Sequence, residues 1–219
     1  MQTPSADKIL SAREALAATD PALAVADAAV APFTWRSTAA GVAGLSQMIV
    51  SQQVSTAAAA AIWGRLVKGL GGAATPEAIM AAEEGQLRSY GLSSQKARYV
   101  RAIAEAHLGG VANFDHLPDS DDEAMAALMT IKGVGRWTAE LYLLFSEGRL
   151  DAFPAGDLAL QEGLRLAEGG EARLSEKALY ARAETWRPYR GVAAHLLWAY
   201  YSLIKRGGGT PPPPAEPQA

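Results

Sequence analysis

Residues 128–139 read LMTIKGVGRWTA. Apolar residues at helical spacing flank a short turn, Lys132-Gly133-Val134-Gly135, so the pattern predicts two helices joined by a tight hairpin. Glycine permits a positive φ and a close approach of the backbone. The turn is therefore expected to present main-chain N–H groups at the start of the second helix, where they can bind a phosphate. A turn that serves only packing is the alternative, because Gly-x-Gly alone is a weak signal.

The rest of the 219-residue chain also fits a helical protein. Apolar residues make up 49% of it, and many are alanine, which favours helices. Valine and isoleucine are sparse, and no alternating run is long enough for a strand, so we expect an all-α fold. A Thr-Pro-Glu cap at residues 75–77 predicts one helix that ends at Gly91. Ser93 or Ser94, and Ser120, are expected to cap the helices that follow them.

Several protein classes are excluded or disfavoured by composition. Cysteine is absent, which excludes disulfides, thiol nucleophiles and cysteine-ligated zinc or iron–sulfur sites. The first eight residues have no apolar run after a basic start, so no secretory signal is expected. No apolar stretch approaches the length of a membrane span. A cytoplasmic location is therefore the expectation.

The distribution of charge is more informative than its sum. The net charge of −3 argues mildly against a nucleic-acid partner, because such proteins are usually basic. However, Gly85 to Ala104 and Thr185 to Ala215 contain no acidic residue. Their basic residues are Arg88, Lys96, Arg98, Arg101, Arg187, Arg190, Lys205 and Arg206. Ordinary solvated faces and local DNA-binding faces are both consistent with this pattern.

Further segments, taken in order with the hairpin, resemble one family. They are Met48-Ile49-Val50-Ser51-Gln52-Gln53-Val54-Ser55, Gly91-Leu92-Ser93-Ser94-Gln95-Lys96-Ala97, Phe153-Pro154-Ala155-Gly156-Asp157 and Trp186-Arg187-Pro188-Tyr189-Arg190. Together they resemble the helix–hairpin–helix DNA glycosylase superfamily whose Gly/Pro-rich loop ends in aspartate. Within it they are most similar to the compact alkylpurine branch, 3-methyladenine DNA glycosylase II. The resemblance extends roughly from Thr38 to Ile204.

Asp157 is the residue to which this resemblance assigns catalysis. Taken alone, an aspartate that opens a helix is usually an N-cap. In the family it is also the catalytic carboxylate, which stabilises the positive charge that develops on the sugar as the base departs, as in glycoside hydrolysis. It is also expected to orient the attacking water. Asp151 is the competing acid, but the family pattern places the catalyst after the Pro/Gly turn.

An absent lysine indicates the type of reaction. Bifunctional relatives carry a nucleophilic lysine two residues after the second hairpin glycine, where its amine forms a Schiff base with the sugar. Trp137 occupies that position here. Endonuclease III and the adenine-mismatch glycosylases also usually carry four cluster cysteines. The resemblance therefore implies a monofunctional enzyme.

The resemblance also implies a base pocket and a wedge. Trp198 is expected to stack on the flipped base and Trp137 to form a second wall, because an aromatic face attracts a cationic alkylated purine. Tryptophans on helices are otherwise core residues, which is the alternative. Gln53 is expected to fill the gap that base extrusion leaves, unless it merely caps a helix. His195 is expected to be structural, and Leu141 leaves the exact base preference open.

The remaining expectations concern partners and organisation. The DNA-binding residues of the hairpin are expected to be Lys132, Gly133, Val134, Gly135, Arg136 and Thr138, with no metal site. No cofactor is expected beyond a monovalent cation where the hairpin meets phosphate. The partner is double-stranded DNA that carries alkylated bases, and the protein is expected to be a monomer that acts at a bacterial-type nucleoid.

The domain organisation follows from the same comparison. Residues 1–206 should form one two-lobed helical glycosylase domain, with helix–hairpin–helix at about 120–146 and the active-site cleft between the lobes. The chain is expected to match the compact form, without the N-terminal α/β domain of the longest members. The Gly/Pro-rich residues 207–219 are expected to be disordered.

Two other functions remain open from the sequence. One is a helix–hairpin–helix module that binds DNA without catalysis, which would need the hairpin but not Asp157. The other is the same scaffold acting on oxidised or mismatched bases, which the missing lysine and cysteines disfavour.

Overall fold

The computed structural model describes residues 3–30 and 32–207. Within those ranges the regular elements are twelve α-helices and one 3₁₀ turn, so the all-α prediction is confirmed. The chain divides into two compact units, in agreement with the predicted two lobes. One unit comprises residues 38–147, and the other combines residues 3–37 with the chain from Gly148 onward. None of the described helices combines the length and apolarity that crossing a membrane requires.

The unit of residues 38–147 contains seven helices around α7 and α9. In chain order they are α3 (Gly41–Ser51), α4 (Thr56–Gly69), α5 (Pro76–Ala81), α6 (Glu84–Ser89), α7 (Ser94–Leu108), α8 (Asp121–Met129) and α9 (Arg136–Phe145). α7 packs against α3, α5 and α6, whereas α9 packs against α3 and α8. Leu45, Ile49, Val100 and Leu143 are fully buried and lie at the centre of this packing. The hairpin of interest is thus the connection between α8 and α9.

The described part of the other unit joins the start of the chain to its C-terminal helices. Its helices are α1 (Ala6–Thr19), α2 (Pro21–Ala29), α10 (Leu158–Glu168), α11 (Glu176–Ala183) and α12 (Arg190–Gly207). α12 packs against α1, α2 and α10. Gly163 permits the close approach of α10, because a Cβ there would lie 2.6 Å from the carbonyl oxygen of Leu197. The middle of α10 therefore lies against the middle of α12.

Helix starts follow the predicted capping residues, with one error. The Ser93 and Ser120 hydroxyls accept the N–H groups of Lys96 and Glu123, as N-caps do. The continuous helix predicted from residue 75 to Gly91 is wrong, because the chain is extended at Ala82 and two short helices result. The Arg101 guanidinium donates to the Ala82 carbonyl and thereby satisfies the end of α5. A long-range contact therefore breaks a locally continuous pattern.

The predicted domain boundaries remain largely untested. The Gly/Pro-rich tail predicted at residues 207–219 lies outside the described residues except for Gly207, which closes α12. The predicted hairpin segment of about 120–146 coincides with α8, the turn and α9.

Candidate active site

Asp157 opens α10 at the end of a mostly buried loop. Ala155 and Asp157 donate their N–H groups to the carbonyls of Phe153 and Pro154, at 3.1 and 2.9 Å, which folds the loop into a tight turn. The Asp157 Oδ1 accepts the N–H groups of Ala159 and Leu160 at 2.8 and 3.0 Å. The carboxylate is thus the N-cap that the sequence predicts, and the partial positive charge of the helix start stabilises it.

The same carboxylate has a third donor on α12. Trp198 Nε1 donates to Asp157 Oδ1 at 3.0 Å. Three donors therefore converge on Oδ1, whereas no hydrogen bond of Oδ2 occurs within the described residues. Asp157 is only partly buried. The arrangement fixes the carboxylate through one oxygen and leaves the other available to a positively charged group.

Asp151, the competing acid, is occupied by two arginines. Its Oδ2 accepts from Arg187 Nη1 at 2.6 Å and from Arg190 Nη2 at 2.8 Å, and its Oδ1 accepts from Arg190 Nε at 3.0 Å. Glu184 also pairs with both arginines. These contacts make Asp151 a structural residue. They also neutralise Arg187 and Arg190, two of the four basic residues in the acid-free stretch from Thr185, so these two do not contribute to a basic face.

The hairpin between α8 and α9 departs from the prediction at one residue. Gly133 has φ = +94°, and a Cβ there would lie 2.2 Å from Cγ of Tyr99, so glycine is required. Val134 is buried, and its N–H donates to the Ile131 carbonyl at 3.0 Å. The expectation that this N–H faces a phosphate is therefore corrected, because it closes the turn. Gly135 is the N-cap of α9 and brings no side-chain cap to the N–H groups of the first turn.

The side chains around the hairpin are divided between surface and interior. Lys132 and Arg136 are exposed, and Arg136 Nη1 lies 3.5 Å from Glu140 Oε1. Thr138 is buried, and its hydroxyl accepts from Gln52 Nε2 at 3.1 Å. The Thr138 hydroxyl thus links α9 to the loop after α3 inside the same unit. Trp137 is 41% exposed on the first turn of α9.

The loop after α3 presents Gln53 in an unusual backbone conformation. Gln53 has φ = +57° and is exposed, a conformation that L residues rarely adopt outside tight turns. Lys96 Nζ fixes the loop by donating to the Val50 and Gln52 carbonyls at 2.7 and 2.6 Å. Burial lowers the pKa of this ammonium group. The sequence motif contained Lys96, but only the fold shows that it supports the predicted wedge.

Known proteins that resemble this chain in sequence are DNA repair glycosylases. Residues 46–188 match the HhH-GPD superfamily of base excision DNA repair proteins. The chain belongs to this superfamily. DNA-3-methyladenine glycosylase 1 of Schizosaccharomyces pombe is 33% identical over 158 residues, which are 70% of this chain and 69% of that relative. DNA-3-methyladenine glycosylase 2 of Escherichia coli is 27% identical over 57% of this chain, and the match spans 41% of that relative.

Solved structures of this HhH-GPD superfamily agree in fold. The S. pombe 3-methyladenine DNA glycosylase, in complex with abasic DNA, matches with a TM-score of 0.76 and 29% identity. The match covers 89% of this chain and 97% of that one. A DNA-3-methyladenine glycosidase from Bacillus halodurans matches with a TM-score of 0.81 and 30% identity, over 94% and 95% of the two chains. The resemblance inferred from the motifs is confirmed.

An aromatic cluster surrounds Trp198 in this HhH-GPD chain. His195 meets Trp198 edge to face at 5.9 Å between ring centroids, and it stacks on Trp35 at 3.9 Å. Trp198 is only 7% exposed, and the exposed part lines an open groove of about 710 Å³. The ring therefore belongs to the packed interior, where its Nε1 contacts Asp157, and it also borders this groove. Sequence reasoning did not find the contribution of Trp35, because it depends on contacts between distant segments.

His195 should make stability depend on pH. It is buried, its Nδ1 donates to the Gly191 carbonyl at 2.8 Å, and burial lowers its pKa from 6.5 to about 4. The pKa of His195 is lower in the folded protein than in the unfolded chain, so the neutral imidazole contributes to the free energy of unfolding. This contribution is complete above the unfolded pKa and is lost as pH falls from about 6.5 towards 4. We expect His195 to remove about 2 kcal/mol of unfolding free energy between about pH 7.5 and pH 5.

Denaturant unfolding at several pH values measures this dependence. His195→Gln serves as the comparison, because glutamine does not titrate in this range. The variant should lose the corresponding part of the pH slope. If the unfolding free energy of the wild type and of His195→Gln depends on pH in the same way, His195 is not responsible for that dependence.

Proposed function

We propose that the protein is a monofunctional DNA glycosylase that hydrolyses the N-glycosidic bond of alkylated purines, such as 3-methyladenine and 7-methylguanine, in base excision repair. The arrangement of Asp157 carries the proposal. Its Oδ1 is held by Ala159, Leu160 and Trp198, so the carboxylate does not have to reorient during the reaction. Pre-oriented charge of this kind is a main source of transition-state stabilisation in enzymes.

The chemistry requires a fixed negative charge more than an acid. As the bond between sugar and base breaks, the electron pair leaves with the base and positive charge develops on the sugar ring. At about 4 Å and an effective dielectric of about 20, a carboxylate stabilises such a charge by roughly 4 kcal/mol. The carboxylate also orients the water whose oxygen forms the new bond to the sugar. An alkylated purine that is already cationic departs without prior protonation.

The names of the relatives support this substrate class. The S. pombe and E. coli relatives are named DNA-3-methyladenine glycosylases, and the S. pombe structure contains abasic DNA. The match spans 69% of the first of these relatives and 41% of the second. Base excision by this chain is therefore our proposal from site and family together.

The other parts of the mechanism have separate roles. Trp198 would form a wall of the base pocket. The role of Trp137 as a second wall and that of Gln53, which is expected to enter the space that the flipped base vacates, stay predictions. Backbone N–H groups at the start of α9, with Lys132 and Arg136, would bind DNA phosphates, which position the duplex without reading its sequence. Cytoplasmic location, a monomeric state and a cation at the phosphate contact stay predictions, and no step depends on them.

The position of Trp137 makes the reaction type testable. Without an amine two residues after Gly135, no Schiff base with the sugar should form. Incubation with methylated duplex DNA and borohydride should therefore trap no protein–DNA adduct. The abasic strand should stay intact until alkali is added. Efficient trapping, or strand cleavage in step with base release, would contradict the monofunctional mechanism.

A further inference from the structure

A side chain of α7 closes the end of α3, where the loop that carries Gln53 begins. Lys96 Nζ donates to the Val50 and Gln52 carbonyls at 2.7 and 2.6 Å. Val50 lies in the last turn of α3, where carbonyl groups have no partner within the helix. A positive charge is also favoured at the C-terminus of a helix. The ammonium group of Lys96 therefore acts as the cap that the helix end requires.

The second of these bonds fixes the backbone of Gln53. The carbonyl of Gln52 and the N–H of Gln53 belong to one planar peptide unit. Because Lys96 holds the oxygen of this unit, it fixes the plane from which the chain turns into the left-handed conformation of Gln53, with φ = +57°. A residue other than glycine keeps such a conformation only where its surroundings hold it. Lys96 is thus the contact that orients the exposed Gln53.

A further contact joins the same loop to the helix after the hairpin. Gln52 Nε2 donates to the Thr138 hydroxyl at 3.1 Å, and Thr138 lies in the first turn of α9. Thr138 is 5% exposed, so water has little access to its hydroxyl. Gln52 is therefore bonded to α7 through its backbone and to α9 through its side chain. These residues all lie in the unit of residues 38–147, where the predicted wedge and the hairpin are held at a fixed separation.

A wedge is effective only if its backbone does not yield. Extruding a paired base costs the free energy of its pairing and stacking, and the cost is smaller for a base that has no partner. A side chain that fills the gap offsets this cost as long as the loop behind it keeps its position. A misplacement of about 1 Å at a reacting site can lower a rate by about 100-fold. The support behind Gln53 should therefore matter most for a base that is paired.

We propose that Lys96 is a positioning residue for base extrusion, which holds Gln53 in place through the Gln52 carbonyl. The proposal rests on the proposed glycosylase function and on the predicted wedge role of Gln53. It assigns Lys96 no contact with the damaged base or with the sugar. Loss of Lys96 should therefore impair the release of a paired lesion and spare a lesion that has no pair to break.

Two duplexes that differ only in the opposite residue separate extrusion from bond cleavage. Each carries one 7-methylguanine, which lies opposite cytosine in the first and opposite an abasic-site analogue in the second. Lys96→Met removes the ammonium group and keeps a long side chain, whereas Lys96→Arg keeps the charge and the N–H donors. Lys68→Met is the matched control, because Lys68 is exposed on α4 of the same unit and the change in charge is identical.

Two more variants test the same loop without touching Lys96. Gln53→Ala removes the predicted wedge side chain. Thr138→Val removes the acceptor of Gln52 Nε2 and keeps the shape of the side chain. Circular dichroism and thermal melts establish that every variant is folded before its activity is compared.

Under single-turnover conditions with saturating protein, we expect Lys96→Met to lower the release of paired 7-methylguanine by about 10- to 100-fold. Release of the unpaired base should fall by less than about 3-fold, because no pair has to be broken. Gln53→Ala and Thr138→Val should show the same selective loss. Lys96→Arg should release more paired base than Lys96→Met, and Lys68→Met should match the wild type on both duplexes.

Several results would overturn the role of Lys96. One is an equal loss on both duplexes in Lys96→Met, because it would indicate a general effect on DNA binding or cleavage. Another is wild-type release of paired base by Lys96→Met. A third is wild-type behaviour of Gln53→Ala, since Lys96 is proposed to act through Gln53.

These failures differ from failure of the proposed function itself. If the wild-type protein releases no base from either duplex or from methylated DNA, the glycosylase proposal is wrong. If it releases 7-methylguanine and Lys96→Met lowers release from both duplexes equally, only the role of Lys96 is wrong.

Discussion

Asp157→Asn should lower the rate of base release about 1000-fold while the protein stays folded and still binds DNA. The decrease follows from losing a charge interaction of about 4 kcal/mol at the sugar, at about 1.4 kcal/mol for each factor of ten. The fold should survive because the amide oxygen of asparagine can accept the same N–H groups of Ala159, Leu160 and Trp198 that Oδ1 accepts now. Single-turnover assays on methylated duplex DNA, with binding measured separately, test both parts.

Asp151→Asn is the matched control for this substitution. Asp151 lies in the same loop region, but Arg187 and Arg190 hold it in a structural network. We expect the control to lower the melting temperature and to keep base release within a few-fold of wild type below that temperature. Wild-type turnover in Asp157→Asn, or a larger loss in Asp151→Asn, would remove Asp157 from the catalytic role.

Gly133→Ala should destabilise the protein by about 2–5 kcal/mol and weaken its binding to all duplexes alike. The added Cβ would lie 2.2 Å from Cγ of Tyr99, near the attached end of that side chain, and the backbone has φ = +94°. Overpacking costs typically 1–3 kcal/mol, and a left-handed conformation of an L residue costs roughly 1–2 kcal/mol. Denaturant unfolding and binding to undamaged duplexes measure the two effects.

Gly135→Ala is the control within the same hairpin. A Cβ at Gly135 has no atom within 4 Å among the described residues, and Gly135 has φ = −91°, which alanine adopts readily. Its unfolding free energy should therefore stay within about 1 kcal/mol of wild type. Equal stability of the two variants would show that the Tyr99 contact does not hold the turn. Unchanged DNA affinity in a folded Gly133→Ala protein would show that the turn is only structural.

Short-range features of this chain could be predicted from sequence. The N-caps at Ser93, Ser120 and Asp157 depend on residues within one helical turn, and the hairpin depends on two glycines close together. Such local preferences act in any fold that contains them. Local preferences of this kind therefore predict these helix starts and the turn between α8 and α9.

The features that the sequence did not reveal depend on distant contacts. Lys96 reaches carbonyls 44 and 46 residues earlier, and Arg187 reaches an aspartate 36 residues earlier. Arg36 lies over Trp198 only because the segment after α2 packs beside α12. Residue spacing contains no information on these pairs, so the sequence leaves both interpretations of Lys96 and Arg187 open, a solvated face or a local DNA-binding face. The structure shows that Lys96 supports the loop after α3 and that Asp151 neutralises Arg187.

Chromatography of the bases released from defined duplexes tests the central claim most directly. Duplexes with one 3-methyladenine, 7-methylguanine, 8-oxoguanine or uracil are incubated with the wild-type protein, and free base is quantified over time. The account predicts that both alkylated purines appear as free bases much faster than 8-oxoguanine or uracil, because they depart without protonation from a site with one fixed carboxylate. Release of 8-oxoguanine faster than 7-methylguanine, or no release of either alkylated purine, would contradict it.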